Sequence, residues 1–200
     1  MLAIASASLL VLGITGRAQA QAEHYASSPI EFNAHVGALF IDTPEDVESD
    51  TDPMYGIRLG YNMPSGFGLA GNLDWVPGER NVSGTDIDVN TWLYSGEINY
   101  TFGSGGRIHP FVAAGVGAAT RTFSDLPDDD DDIESQTDLM IPFGGGIKWF
   151  AQSNRWGIRT EIRDNMVLET DVFDPEEGDE DTEAAHHVEI SGGISFFFGG

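Results

Sequence analysis

Residues 156–163 read Trp-Gly-Ile-Arg-Thr-Glu-Ile-Arg, so that Trp156, Ile158, Thr160 and Ile162 alternate with Gly157, Arg159, Glu161 and Arg163. Successive side chains of a β-strand point to opposite faces, so this segment has one largely apolar face and one carrying a carboxylate between two guanidinium groups. A soluble barrel turns its better apolar face inward around a ligand. Here the charged face makes a poor ligand cavity and suits a polar lumen, which leaves the apolar face to meet lipid.

The same period of two extends through the chain. Eight segments carry it: 30–41, 54–63, 67–76, 89–102, 109–123, 139–150, 156–168 and 187–198. Each is long enough to supply the roughly 9–11 residues a tilted strand needs to cross a bilayer. The fourth alternates almost completely, with Trp92, Tyr94, Gly96, Ile98, Tyr100 and Phe102 opposite Thr91, Leu93, Ser95, Glu97, Asn99 and Thr101. The fifth is rich in Gly and Ala, and Val112, Ala114, Val116 and Ala118 are assigned outward. Eight is the smallest common strand number for a closed barrel of this class. The expected fold is an all-β, eight-stranded antiparallel up-and-down transmembrane β-barrel.

The connections alternate in kind. Pro64–Gly66, Gly103–Arg107 and Ala151–Arg155 are short, whereas four acidic runs separate the other strand pairs, and together they hold most of the 33 Asp and Glu residues. A meander places all four acidic connections at one end, as extracellular loops at 42–53, 78–88, 124–138 and 169–184, with the short turns at the periplasmic end. The apolar run from Leu2 to Ile14, followed by Ala18-Gln19-Ala20, reads as a signal peptide over 1–20, cleaved after Ala20 or after Ala22. A mature N-terminal tail spans 21–29, and the barrel domain runs from 30 to 200.

The lumen-facing positions define a candidate charge network: Arg58, Asp74, Glu97, Arg121, Lys148, Arg159, Glu161, Arg163 and Glu189. Charges of both signs inside a narrow barrel can pair, and one left unpaired there is costly. A salt-bridge network that plugs the lumen is the expectation. Trp75, Trp92, Tyr100, Trp149, Trp156, Phe196 and Phe198 lie near strand ends on the apolar face, as an interfacial aromatic girdle requires.

The chain resembles the outer-membrane β-barrel family typified by the OmpA transmembrane domain and similar small eight-stranded barrels. The resemblance rests on His109-Pro110-Phe111-Val112-Ala113-Ala114-Gly115-Val116-Gly117, on Gly144-Gly145-Gly146-Ile147-Lys148-Trp149-Phe150, and on the Arg159-x-Glu161-x-Arg163 pattern. It implies residence in the outer membrane of a Gram-negative-type bacterium, with membrane lipid and lipopolysaccharide as surroundings. It also implies insertion by barrel-assembly machinery that reads the C-terminal strand, although here Gly199-Gly200 follow the terminal aromatic Phe198.

Other chemistries find little support in the residues. A formal net charge of -24 argues against nucleic acid as a partner, because phosphate is repelled. Without cysteine the chain cannot rely on disulfides. The Asp128–Asp132 run lacks the glycine and spacing of an EF-hand loop, so divalent ions are expected there only weakly, with affinities on the order of millimolar. His186 and His187 face opposite sides of a strand, and His24, His35 and His109 have no convincing partner. No His-x-Ser pair lies on a lipid-facing strand to serve as base and nucleophile, and no phosphate loop is present. The residues suggest no cofactor, no catalytic site and no metal site. The expected role is structural or surface-interacting, with a small channel for ions or apolar solutes as the alternative and a lipid A-modifying enzyme as the third reading.

Overall fold

A computed structural model describes residues 28–41, 51–82, 85–103, 106–124, 135–153, 155–168 and 184–199. The elements are β1 (Ile30–Ile41), β2 (Thr51–Asn62), β3 (Phe67–Val82), β4 (Thr85–Thr101), β5 (Ile108–Ser124), β6 (Gln136–Phe150), β7 (Trp156–Leu168) and β8 (Ala184–Phe198). Each strand pairs antiparallel with its sequence neighbours, and β8 returns to β1 from Ile30↔Phe198 to Ile41↔His187, so the sheet closes on itself. Closure leaves no unpaired edge in the wall, the condition for strands to cross hydrocarbon.

Alternation decides which face goes where. Leu59, Val36, Ile98, Ile162 and Val116 are the most exposed large apolar residues, at 58–61 %. On a water-soluble protein this would be an unusually large apolar patch. Their sequence neighbours point inward and are buried, among them Arg58, Glu97, Glu161 and Arg163. Val112, Ala114 and Val116 of the Gly/Ala-rich β5 face outward as assigned.

The short turns are hydrogen-bonded. Gly66 N–H donates to Met63 C=O at 3.0 Å and Met63 N–H to Phe67 C=O at 2.7 Å, with Gly66 at φ 91°, a conformation that glycine adopts without steric cost. Proline leaves a local mark on β6. The β5–β6 ladder pairs Ala114 with Phe143 and Gly117 with Met140 but skips the positions between, where Pro142 has no N–H to donate.

One boundary differs from expectation. Residues 78–88 were expected as a loop, yet β3 continues to Val82 and β4 starts at Thr85, paired through Glu79↔Asp88, Arg80↔Ile87, Asn81↔Asp86 and Val82↔Thr85. Pro77-Gly78 suggested a turn. The β2–β3 ladder ends at Tyr55↔Trp75, so beyond it β3 pairs only with β4 and Pro77 leaves no β2 partner wanting. The other acidic connections also shrink, since β2 starts at Thr51, β6 at Gln136 and β8 at Ala184. Asp138, expected in a loop, lies in β6 with 2 % exposure. The remaining loop residues, 42–50, 83–84, 125–134 and 169–183, lie outside the described residues, as do the signal and most of the tail over 1–27.

Candidate functional site

The lumen is the candidate site, and its centre is Glu161 on β7. Arg159 and Arg163 stand two residues to either side on the same face, and both donate to it, Arg159 Nε at 3.0 Å and Arg163 Nη2 at 3.1 Å. Arg58 reaches from β2 across the barrel and donates through Nη2 to Glu161 Oε2 at 3.0 Å. Glu97 on β4 lies 3.5 Å from Arg58 and 3.2 Å from Arg163, and Glu189 on β8 lies 3.6 Å from Arg163.

A second cluster sits toward the turn end. Lys148 Nζ on β6 donates to Glu31 Oε2 on β1 at 2.8 Å, and Arg159 lies 3.9 Å from the other oxygen of Glu31. Asn62 donates to Glu31 at 3.0 Å and accepts from Lys148 at 3.3 Å, while Ser195 Oγ donates to Glu31 at 2.9 Å. Arg159 also lies over the Phe111 ring, 3.8 Å from its centre, a cation–π contact that supports the buried guanidinium.

Arg58, Lys148, Arg159 and Arg163 thus face Glu31, Glu97, Glu161 and Glu189, and none of these eight residues exceeds 5 % exposure. The cations and carboxylates are equal in number, although the whole chain is formally -24. Acid excess is therefore kept out of this belt. Uncompensated charge there would carry its full desolvation cost.

An apolar cluster flanks the belt on each side. Toward the loop end Leu39, Met54, Val76, Leu93, Ala119, Met140 and Val167, one from each of β1 to β7, form a buried cluster. Toward the turns, Phe150 packs on Phe197 with ring centres 5.0 Å apart, and His109 meets Phe150 edge-on at 5.0 Å.

Inward-facing glycines let the wall close around this filling. A Cβ on Gly144 or Gly146 would strike the carbonyl oxygen of Ile162 or Thr160 on β7, and one on Gly115 or Gly117 that of Gly96 or Tyr94 on β4. A Cβ on Gly56 would strike the Asp74 carboxylate and the His35 ring.

Of the lumen residues expected from sequence, Arg58, Glu97, Lys148, Arg159, Glu161, Arg163 and Glu189 share the belt. The other two lie apart. Asp74 accepts a contact from His35 at 2.7 Å, and Arg121, with a quarter-exposed side chain, lies 3.5 Å from Asp138 toward the loops. His35 therefore does have a partner, contrary to expectation, because β1 and β3 bring their inward residues together over Gly56. His186 and His187 face opposite sides as expected, His186 meeting Asp164 at 2.9 Å on the outer surface while His187 is buried. The sequence reading also passed over Glu31, Asn33, Asn62, Ser191 and Ser195, and the available signal was their shared inward parity.

The aromatic residues form two outward groups. Trp75 and Trp92 are 6.4 Å apart near the loop end, with Tyr55 5.9 Å from Trp75. Trp149 and Trp156 are 5.8 Å apart near the turn end, where Tyr100 meets Phe67 and Phe102 and where Phe196 pairs in register with Trp156. Phe198 is exposed there as well.

Solved structures share this architecture. Neisserial surface protein A superposes with a TM-score of 0.66 at 14% identity, covering 84% of this chain and 97% of its own. The N-terminal β-barrel domain of Pseudomonas aeruginosa OprF gives 0.54 at 18% identity, covering 85% and 98%. Ail, the attachment invasion locus protein of Yersinia pestis, gives 0.56 at 12% identity, covering 85% and 99%. At these identities the likeness is one of fold. Among proteins of curated function, none matches the sequence. The family model of the outer membrane protein β-barrel domain matches residues 6–196, and with its closed eight-stranded wall and apolar exterior the chain belongs to that outer-membrane family.

Proposed function

We propose that this protein is a non-catalytic outer-membrane barrel with a structural or surface-interaction role, whose lumen is plugged by its own charge network. The observation that carries the proposal is the burial of eight paired charges at 5 % exposure or less. A water-filled channel keeps its lining charges hydrated, whereas here buried cations and carboxylates pair with one another across the barrel. The apolar clusters at both ends of the belt support the same reading, since ions cross a dry apolar constriction poorly. What meets the cell's surroundings is then the acidic loop end, with its weak attraction for divalent ions.

The chain has no cysteine, so single thiols report on the lumen without background. Ser195→Cys and Ser191→Cys, both facing the lumen, are expected to resist a charged maleimide in the folded barrel, while Thr51→Cys at the exposed loop end reacts. Labelling of the lumen thiols as fast as Thr51→Cys sinks the plugged reading and favours the channel.

A further inference from the structure

The belt is built unevenly around the wall. Long charged side chains reach in from β6, β7 and β8, namely Lys148, Arg159, Glu161, Arg163 and Glu189, whereas β3 and β5 turn Gly68, Ala70, Ala113 and Gly115 into the lumen. Gly60 on β2 pairs with Ala70, and Ala70 with Glu97 on β4. A Cβ on Gly60 would reach only Leu69 O at 3.4 Å, the Ala70 methyl at 3.7 Å and Glu31 Cβ at 3.9 Å, all ordinary contacts. Both residues of this pair are half-buried, although their neighbours on the inward face are buried. The wall leaves room beside them.

Polar atoms without partners border that room. The next inward pair toward the loops is Arg58 with Asn72, and toward the turns Asn62 and Gly68 pair in a row with Asn99. Arg159 joins them from β7, because its guanidinium shares Glu161 Oε2 with that of Arg58. Among the described residues, Arg58 Nε and Nη1 and Arg159 Nη2 have no acceptor, and Asn72 Oδ1 and Asn99 Oδ1 have no donor. Glu97 Oε2 meets only Arg58, at 3.5 Å. None of these five residues exceeds 6 % exposure. Asn72 is held with its oxygen free, since its Nδ2 donates to Ser95 Oγ at 3.1 Å.

Buried polar atoms left unmet are costly, and native folds pair nearly all of them. Here the orphans are of both kinds, and that selects the ligand. An anion suits the guanidinium groups but is repelled by Glu97 and by the amide oxygens, and a cation suffers the reverse. Water both donates and accepts, and it fits the space that Gly60 and Ala70 leave. A buried water makes about three hydrogen bonds, so these atoms call for about two.

We propose that the wall at Gly60 and Ala70 is a binding site for about two water molecules, which bridge Arg58 and Arg159 to Asn72, Glu97 and Asn99. The inference deepens the plugged-lumen reading and rests on it. Held water ties β3 and β4 to the charges of β7 without opening a path, because the apolar layer of Leu93 and Met140 lies between this site and the loop end.

The test uses the full chain, isotope-labelled and folded in detergent micelles, with nuclear Overhauser effects from water measured at side-chain methyls. Ala70 is expected to show effects of the sign given by held water, and Leu93 and Met140 to show none. Absence of any water effect at Ala70 overturns the site, as does freely exchanging water at Ala70 alone. Freely exchanging water at Ala70, Leu93 and Met140 together sinks the plugged lumen beneath it. A second measurement compares Ala70→Thr with Ala70→Val, which have the same shape and crowd the wall equally. A threonine hydroxyl can stand in for a displaced water, and a methyl cannot. In urea unfolding from lipid vesicles the Thr variant is expected to have a folding constant about fivefold or more above that of the Val variant. A Val variant as stable as the Thr variant, or more so, contradicts the proposal, because a site without water favours the methyl.

Discussion

In the middle of the lumen Arg58, Arg159 and Arg163 converge on Glu161, whereas at the loop end Leu39, Met54, Leu93, Met140 and Val167 meet with no charge among them. Both layers are buried inside the same barrel, yet they depend on their residues differently. The charged layer is held by partners, so removing one group leaves the others buried and unbalanced. The apolar layer is held by volume and shape, so a swap of similar size is tolerated.

The largest expected effect is therefore at Glu161, whose carboxylate three arginines share. Glu161→Leu should cost about 3–5 kcal/mol in urea unfolding from lipid vesicles. The comparison sharpens at Lys148 and Glu31, which form a 2.8 Å pair. Lys148→Met and Glu31→Leu should each destabilise more than a proportionate share of the double variant, with an interaction energy of roughly 0.5–3 kcal/mol in the cycle. Strict additivity would mean that the pair is not coupled.

Next in size is the apolar layer, where Leu93→Ala should cost about 2–4 kcal/mol through lost burial and the cavity left behind. Met140→Leu keeps the volume and should cost less than about 1.5 kcal/mol by the same measurement. If Met140→Leu proved as damaging as Glu161→Leu, the contrast between the layers would be broken. The smallest effect is expected at Arg121, whose side chain is 24% exposed beside Asp138. Arg121→Gln should change stability by no more than about 1 kcal/mol.

The wall of this barrel was legible in single strands, because the two sides of β4 and β7 meet lipid and lumen and alternate accordingly. Even the Gly/Ala-rich β5 followed from parity. What escaped were features that exist only across strands. Leu39, Leu93 and Met140 look like blemishes on polar faces, and only closure of the barrel lines them up as a layer. His35 meets Asp74 because two strand registers and the missing side chain of Gly56 bring them together, which no spacing within β1 reveals. Glu31 has Phe32 and Ile30 as neighbours and stands far in sequence from Lys148, so its parity was visible while its partner was not. The β3–β4 extension was hidden by Pro77-Gly78, a turn signal that loses its force where the strand has a partner on one side only.

Conductance of the purified wild-type protein in planar bilayers tests the plugged lumen most directly. A silent membrane at protein levels that insert many barrels is the expected result. Steady unitary steps in wild type that vanish when Glu161 or Arg163 is neutralised would contradict it, because the same charges would then be conducting ions instead of closing the lumen.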